Sequence, residues 1–243
     1  MAADVLDDLE AEQDGIERIL LTLTDEQWRT ESGAPGWTVA DVVLHLAQSE
    51  EAVALSASGG GDELNWHRFG ATVDEAMATL VRTESGAPPL PRWQAARRAS
   101  VAALRAADPQ TPLRWVAASL KPRTLATTRL AEHWAHALDI TGPLGIDYPD
   151  TARLRHIAWL GHGTLPYAFS LTGEPNHPVY CELTAPDGST WTYGPPDAPS
   201  VISGPAGAFC RVGARRVTAE ESGLTTTGPH ALAALRVLRN YAA

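Results

Sequence analysis

The sequence has few cysteines, no long apolar run and no secretory signal. Its two cysteines, Cys181 and Cys210, do not show the Cys-x-x-Cys spacing of zinc-finger or redox motifs, so we expect a reduced, cytoplasmic protein. No apolar segment approaches the roughly 20 residues that a membrane span needs. The acidic opening MAADVLDDLEAEQD lacks the basic and apolar regions of a signal peptide. We therefore expect neither export nor a membrane partner.

An excess of positive charge is also missing. The formal net charge of −10 argues against binding to the nucleic-acid phosphate backbone, which needs a basic surface. A small anionic ligand is still allowed, because a few local arginines can bind one. No Gly-x-Ser-x-Gly elbow indicates a serine hydrolase. The glycines of SASGGGDELNW are not followed by Lys-Ser/Thr, so this segment is predicted to be a flexible loop and not a phosphate-binding loop.

The first half of the chain shows apolar residues at helical spacing. Helices are predicted over 2–23, 39–55, 73–82, 92–108 and 124–140. Thr38 and Asp41 form a capping signal at the start of the second of these, and Gly142-Pro143 is expected to stop the last. Four long helices predict an antiparallel four-helix bundle, a fold in which facing helices often supply metal ligands.

The composition changes after the last of these helices, and we place a domain boundary between residues 145 and 146. Residues 1–145 then form the bundle, and residues 146–243 form a small α+β domain that completes the substrate pocket. The second part is predicted to contain a helix over 152–171 and two strands around the Asp187-Gly188 turn. A third strand over VISG, a short helix over PAGAFCRVGARR and a terminal amphipathic helix over PHALAALRVLRNYA follow. The predicted fold class is α+β.

Glu132 and His136 stand four residues apart, which places both on one side of a helix. His45 lies beside an apolar helix face far upstream. Each has an ordinary alternative: His45 as a hydrogen-bonded core histidine, and the Glu-x-x-x-His spacing as a chance pair on an exposed helix. The apolar surroundings WAHALDI favour a metal, because a buried carboxylate without a partner is costly. Two histidines and one carboxylate leave coordination positions open, as catalytic metal sites do.

Several neighbours of this set have two interpretations. Asp139 either orients the His136 imidazole or is a helix-end carboxylate. Arg129 is either an ion-pair partner or an anchor for a substrate carboxylate. His133 points about 100° away from Glu132 and is treated as a neighbour only. Other candidates for pocket walls are His156, His162, Trp37, Trp66 and Trp134, although the two histidines are six residues apart and therefore poor co-ligands.

The segments PGWTVADVVLHLAQSEE and TRLAEHWAHALDI together resemble the mycothiol-dependent maleylpyruvate isomerase family, within the DinB-like superfamily of metal-binding four-helix bundles. The resemblance covers roughly residues 4–142. It implies that His45, Glu132 and His136 hold a divalent metal, usually zinc. It also implies a C-terminal domain related to sterol-carrier folds, whose arginine binds substrate carboxylates. Candidates for that arginine are Arg211, Arg215 and Arg216, and Arg215 is the one we predict.

The resemblance implies thiol chemistry on the metal. Mycothiol or a similar low-molecular-weight thiol, bound as thiolate, would attack a small electrophilic metabolite, and the product would be an S-conjugate or an isomer. Arg129 and Arg215 would hold carboxylates. Two alternatives are a metal-dependent hydrolase, lyase or cyclase that activates water, and a non-catalytic metal- or ligand-binding module. A homodimer is left open.

Overall fold

The structure is a computed structural model that describes residues 4–61, 64–84, 86, 88–116 and 118–241. Its described residues separate into two compact units, 4–148 and 149–241. The first is helical, and the second combines helices with a four-stranded sheet. The predicted α+β class is confirmed. The functional roles assigned to the two parts stay predictions. Within the described residues, no helix is both long and apolar enough to cross a membrane.

Six α-helices lie within the described residues of the first unit. They are α1 (Val5–Leu20), α2 (Asp25–Arg29), α3 (Val39–Leu55), α4 (Val73–Glu84), α5 (Pro89–Ala106) and α6 (Pro122–Leu144). The four long helices α1, α3, α5 and α6 pack together around apolar side chains that include Ile16, Val42, Leu46, Trp93 and Ile140. Burying these side chains stabilises the bundle by roughly 1.5–3 kcal/mol for each large one.

The four helices are not all antiparallel to their neighbours. Arg97 of α5 pairs with Asp14 and Arg105 with Asp7, so α1 and α5 run in opposite directions. Along α1 and α6 the paired residues instead advance together, from the Asp4–Arg123 ion pair to the contact between the Gln13 amide and the His133 imidazole. The predicted bundle is thus confirmed, but with two parallel pairs, α1 with α6 and α3 with α5, because α3 runs antiparallel to α6 through the His45–Glu132 and Glu50–Arg129 contacts. The long segment between α3 and α5, which contains α4, gives the chain enough length to return to the other end of the bundle.

The start of α3 follows the sequence prediction. Thr38 is the N-cap, its hydroxyl accepts a hydrogen bond from the Asp41 N–H, and the Asp41 carboxylate accepts one from the Thr38 N–H. Beyond Leu55 the chain does not enter the predicted loop directly, because a π-helical turn covers Ser56–Gly60. Gly59 adopts φ 90°, a conformation that favours glycine, and the helical path ends there.

The last bundle helix passes through the predicted stop signal. α6 continues through Gly142 and Pro143 and ends at Gly145, which adopts φ 65°. Pro143 has no N–H, so the carbonyl of Asp139, four residues earlier, loses its helical partner. The N–H of Gly33 donates to this carbonyl at 2.8 Å. A tertiary hydrogen bond therefore replaces the missing helical one, and this is why the helix tolerates the proline.

The second unit contains α7 (Leu154–Gly163), α8 (Leu165–Thr172), α9 (Ala206–Gly213) and α10 (Ala231–Val237), with strands β1 (Val179–Thr184), β2 (Thr190–Tyr193), β3 (Ser200–Pro205) and β4 (Thr225–Thr227). The strand order is β2-β1-β3-β4. β1 pairs antiparallel with β2 around the predicted turn, where Gly188 has φ 82°, and parallel with β3. The predicted hairpin, third strand and short helix are confirmed.

One prediction for this unit was wrong in detail, and one strand was not predicted. The helix expected over 152–171 is two helices, because the chain breaks at Thr164 before Pro166, whose ring cannot continue the preceding helix. The Thr164 hydroxyl donates to the carbonyl of Arg239, which holds the break in place. Strand β4 was not predicted at all. Its three threonines show no apolar alternation, and only pairing with β3 makes them a strand.

Candidate metal centre

Helices α3 and α6 bring the three predicted ligands together. Oε2 of Glu132 lies 3.8 Å from Nε2 of His45 and 3.5 Å from Nε2 of His136. One potential ligand atom from each of the three side chains lies within 4.8 Å of the other two. His45 and Glu132 are far apart in sequence, and the antiparallel packing of α3 against α6 brings them together. Both histidines are buried, and Glu132 is partly exposed.

Trp37 forms one wall of the cluster. Its ring centroid lies 5.2 Å from that of His45 and 6.5 Å from that of His136, and the two imidazoles pack edge-to-face at 5.0 Å. The indole comes from the loop before α3. In that loop the Ser32 N–H and hydroxyl both donate to the Trp37 carbonyl, and the Gly33 N–H donates to Asp139. These hydrogen bonds hold Trp37 against the two histidines, and its role as a pocket wall stays a prediction.

Asp139 orients one of the imidazoles. Nδ1 of His136 donates to Oδ2 of Asp139 at 2.9 Å, so Nε2 is directed at Glu132. Burial opposes a charge on His136, but the carboxylates of Asp139 and Glu132 outweigh it and raise the pKa of the imidazole. Of the two interpretations of Asp139, the structure shows the orienting one, the usual arrangement around a metal-bound histidine.

The other two members of the cluster have altered ionisation. Burial favours the neutral form of Glu132, yet contacts with His136 and His45 prevail and hold the pKa of the carboxyl well below its usual range. Burial lowers the pKa of His45, although Glu132 acts in the opposite direction. Glu132 and His45 are therefore in the protonation states that a metal requires, whereas a metal would have to displace the proton that the raised pKa favours on Nε2 of His136.

These residues fit a divalent metal. Zinc–nitrogen and zinc–oxygen bonds are about 2.0–2.2 Å long, so two ligand atoms on one tetrahedral ion stand about 3.4 Å apart. The 3.5 Å and 3.8 Å separations around Glu132 are close to this value. The donor set of two imidazole nitrogens and one carboxylate oxygen suits zinc and other first-row metals. That the three residues hold a metal stays a prediction.

Arg129 lies behind this cluster in a buried ion pair. Its Nε donates to Oε1 of Glu50 at 2.7 Å, and the two side chains are 4% and 0% exposed. The Ser100 hydroxyl donates to the other carboxylate oxygen, and the guanidinium carbon lies 5.9 Å from the ring centre of Trp115. Of the two predicted roles of Arg129, the structure shows the ion pair. Its role as a substrate anchor stays a prediction.

His133 belongs to a separate buried network. Its Nδ1 donates to the Arg129 carbonyl at 2.9 Å, and its Nε2 accepts from the Trp93 indole at 3.2 Å. The Gln13 amide lies 3.4 Å from the same nitrogen. Burial lowers the pKa of His133 to about 4. This neutral, fully hydrogen-bonded histidine is a core residue, in agreement with its treatment as a neighbour of the candidate ligands.

The predicted arginines of the second unit bind other groups of that unit. Arg215 is exposed, adopts φ 59°, and donates to the carbonyls of Arg236 and Val237 at the end of α10. Arg211 forms a two-pronged ion pair with Asp150, and Arg216 donates to the carbonyl of Ala214. A substrate role for Arg215 stays a prediction.

The remaining predicted pocket residues have varied positions. Nε2 of His162 lies 2.9 Å from the Val179 carbonyl, and Nε2 of His156 lies 3.3 Å from the Arg155 guanidinium. Trp134 is buried in the bundle, whereas Trp66 lines a cavity described below. Cys181 and Cys210 are both free and buried, as expected of a reduced protein.

Two features near the site were not predicted from the sequence: the buried ion pair of Glu50 and the tertiary hydrogen bond to the Asp139 carbonyl. Glu50 belongs to the acidic pair Glu50-Glu51, which resembles a solvated helix surface, and its partner Arg129 is 79 residues away. The one indication in the sequence that Glu50 is buried was its position next to Ser49, on the apolar side of α3. A proline four residues after Asp139 signalled a free carbonyl, but nothing in the sequence identified Gly33 as the donor.

A family model described as the mycothiol maleylpyruvate isomerase N-terminal domain matches residues 9–141. The match covers more than half of the chain. The chain belongs to this family. The matched region contains all three candidate ligands, and the family resemblance predicted from the sequence is confirmed.

This chain has relatives in Mycobacterium tuberculosis. Two uncharacterised proteins, one from each of two strains, are 37% identical to it over 214 residues, which cover 84% of this chain and 81% of theirs. Two crystal structures of a mycothiol-dependent maleylpyruvate isomerase, one of them a mutant, superpose with a TM-score of 0.60 at 16% identity. They cover 93% of this chain and 95% of the isomerase. The likeness shows a shared fold, and the prediction of an enzyme accords with the family.

Proposed function

We propose that this family member is a metal-dependent enzyme that uses a low-molecular-weight thiol of the mycothiol type to transfer sulfur to, or isomerise, a small electrophilic metabolite. The observation that carries the proposal is the cluster of His45, Glu132 and His136, with Asp139 fixing the direction of one imidazole. Membership of the isomerase family supports the choice of thiol.

The proposed metal-binding residues would leave coordination positions for another ligand. When bound, a divalent cation lowers the pKa of a thiol, so that the sulfur is available as thiolate at neutral pH. Asp139 accepts the Nδ1 proton of His136 and directs Nε2 toward Glu132, the position from which Nε2 would bind the metal. Trp37 covers one side of the two imidazoles and limits the access of water there.

The chemistry balances in both proposed outcomes. The thiol proton passes to solvent, and the thiolate sulfur forms a bond to the electrophilic carbon. In a transfer, the sulfur adds to the carbon β to a carbonyl, the electron pair of the carbon–carbon double bond moves to form an enolate, and the enolate takes up a proton from solvent to give the S-conjugate. In an isomerisation, the electron pair of a conjugated double bond moves to the carbonyl oxygen, the carbon–carbon bond rotates, and the returning electron pair expels the thiolate unchanged.

The residues behind the cluster stabilise its geometry. The Arg129–Glu50 ion pair joins α6 to α3, the two helices that carry the three candidate ligands. This cross-link fixes the spacing between His45 and the Glu132–His136 pair. We infer a positioning role for Arg129 and Glu50. As a separate part of the proposal, Arg129 and Arg215 would anchor carboxylates of the substrate.

Thiol-dependent turnover tests the proposal. The zinc-loaded protein is incubated with an enone, with and without mycothiol, and loss of the conjugated chromophore is followed. We expect turnover that requires the thiol, falls at least a hundredfold in Glu132→Gln and is unchanged in the control His177→Ala, a histidine of the second unit. Turnover that is independent of thiol would instead support metal-activated water, and binding without any turnover would support a non-catalytic module.

A further inference from the structure

A cavity of about 390 Å³ lies within the first unit, and its lining residue Ser49 is one turn along α3 from His45. Ser49 and Ala52 of α3 form one side of it, and Met77 and Leu80 of α4 form another. Ser49 follows His45 by four residues, a rise of about 6 Å along the helix, and its hydroxyl donates to the His45 carbonyl at 2.8 Å. The cavity is therefore placed to receive the part of a substrate that extends beyond the reacting atoms.

The walls of the cavity are largely apolar and aromatic. Trp66, Phe69 and Trp115 contribute three rings, and Leu64, Met77 and Leu80 contribute aliphatic and thioether groups. Phe69 is 41% exposed, so part of its ring is accessible to a ligand at the cavity. Aromatic walls favour aromatic ligands, because offset or edge-to-face contacts between rings stabilise them beyond the burial of apolar area.

The described lining of the cavity favours neutral or anionic ligands over cationic ones. Among the described residues that line it, Arg114 and His67 are basic and none is acidic. The Arg129 guanidinium lies on Trp115, which also lines the cavity. Size matters as well, since 390 Å³ is at the lower end of the range of small-molecule sites. A neutral or weakly acidic body of one or two rings fits these properties.

We propose that this cavity binds the aryl body of the electrophilic substrate, so that the preferred substrates are aryl-substituted conjugated carbonyl compounds. This inference rests on the proposed function for its reaction, although the binding itself does not require turnover. The sulfur adds to the carbon β to the carbonyl while the aryl ring, attached to that carbon, occupies the space between α3, α4 and Trp115. A small dicarboxylate would leave these apolar walls uncovered.

Calorimetry with benzylacetone tests the binding step directly. This saturated aryl ketone has no conjugated double bond and cannot accept a thiolate. We expect it to bind the wild-type protein, and we expect Leu80→Trp, which fills the cavity, to raise the dissociation constant at least tenfold. Leu21→Trp is the matched control, because Leu21 is 63% exposed at the end of α1. It should change the dissociation constant by less than twofold.

Wild-type protein that fails to bind benzylacetone, or equal binding by wild type and Leu80→Trp, overturns the proposal. Circular dichroism checks that the variant folds, and if it does not, Ala52→Leu replaces it as the cavity-filling change with the same expected loss.

A second arm compares turnover of benzylideneacetone with that of methyl vinyl ketone in the presence of mycothiol. We expect Leu80→Trp to reduce kcat/KM tenfold for the first and less than twofold for the second.

The two arms separate the two proposals. Binding of benzylacetone that Leu80→Trp removes, without turnover of either enone, supports the aryl cavity and contradicts the thiol enzyme. Thiol-dependent turnover of methyl vinyl ketone without binding of benzylacetone supports the enzyme and contradicts the cavity.

Discussion

The N–H of Gly33 donates a 2.8 Å hydrogen bond to the carbonyl oxygen of Asp139, the residue whose carboxylate orients His136. Pro143 makes this carbonyl available because it has no N–H to offer it. A Cβ on Gly33 would lie 3.1 Å from both Cα and Oδ1 of Asp139, so a larger residue would force the loop or Asp139 to shift by a few tenths of an ångström. One residue of α6 thus fixes both an imidazole of the candidate metal centre and the loop that carries Trp37.

Gly33→Ala is expected to weaken metal binding about tenfold, as loss of other supporting contacts around metal ligands does. The added methyl group pushes the loop away from Asp139 and disturbs the carboxylate that holds His136. Competition with a chromogenic chelator measures the affinity. Gly142→Ala, in the helix α6 that carries Asp139, is the control, because its added Cβ meets nothing within 4 Å. Equal loss of affinity in both variants would refute the specific role of Gly33.

Asp139→Asn is expected to lower zinc affinity by about 10–100-fold. The amide keeps the shape of the side chain but no longer presents a charged acceptor to Nδ1 of His136. Chelator competition again gives the affinity, and Asp74→Asn, an exposed carboxylate at the start of α4, serves as control. If Asp139→Asn bound zinc as tightly as the wild type, His136 would not depend on Asp139 for its orientation.

The buried pair of Arg129 and Glu50 predicts strong non-additivity. Removing one partner leaves an uncompensated buried charge, so Arg129→Met and Glu50→Gln should each destabilise the fold by about 3–5 kcal/mol. The double variant should lose clearly less free energy of unfolding than the sum of the losses in the two single variants. Urea unfolding measures these free energies. Arg236→Met, which breaks an exposed pair with Glu220, should cost no more than about 1 kcal/mol. Additive losses at Arg129 and Glu50 would contradict a direct pairing.

The two cysteines are expected to be unreactive in the folded protein. Burial raises the pKa of Cys181 to about 12, and burial raises the pKa of Cys210 as well. The thiolate is the reactive form, so iodoacetamide at pH 8 should label neither residue under native conditions and both after denaturation. Mass spectrometry counts the labels. Rapid native labelling of either cysteine would show that the chain has a nucleophilic sulfur of its own, and the case for an added thiol would weaken.

The sequence identified the parts of the fold that depend on local patterns. The Thr38–Asp41 capping box, the Glu132–His136 spacing and the Asp187-Gly188 turn all lie within a few residues. Features set by distant partners were missed or wrong. The continuation of α6 through Pro143 depends on Gly33, the burial of Glu50 depends on Arg129, and the strand character of Thr225–Thr227 depends on β3. In each case the deciding partner lies too far along the chain for periodicity to reveal it.

The metal content of the protein tests the central claim most directly. Protein loaded with zinc and passed through a desalting column is analysed by inductively coupled plasma mass spectrometry, together with His45→Ala, Glu132→Gln, His136→Ala and the control His177→Ala. The cluster of His45, Glu132 and His136 predicts one zinc per chain in the wild type and the control, and less than a tenth of that in the three ligand variants. Zinc retained in all three variants, or absent from the wild type, would contradict the account.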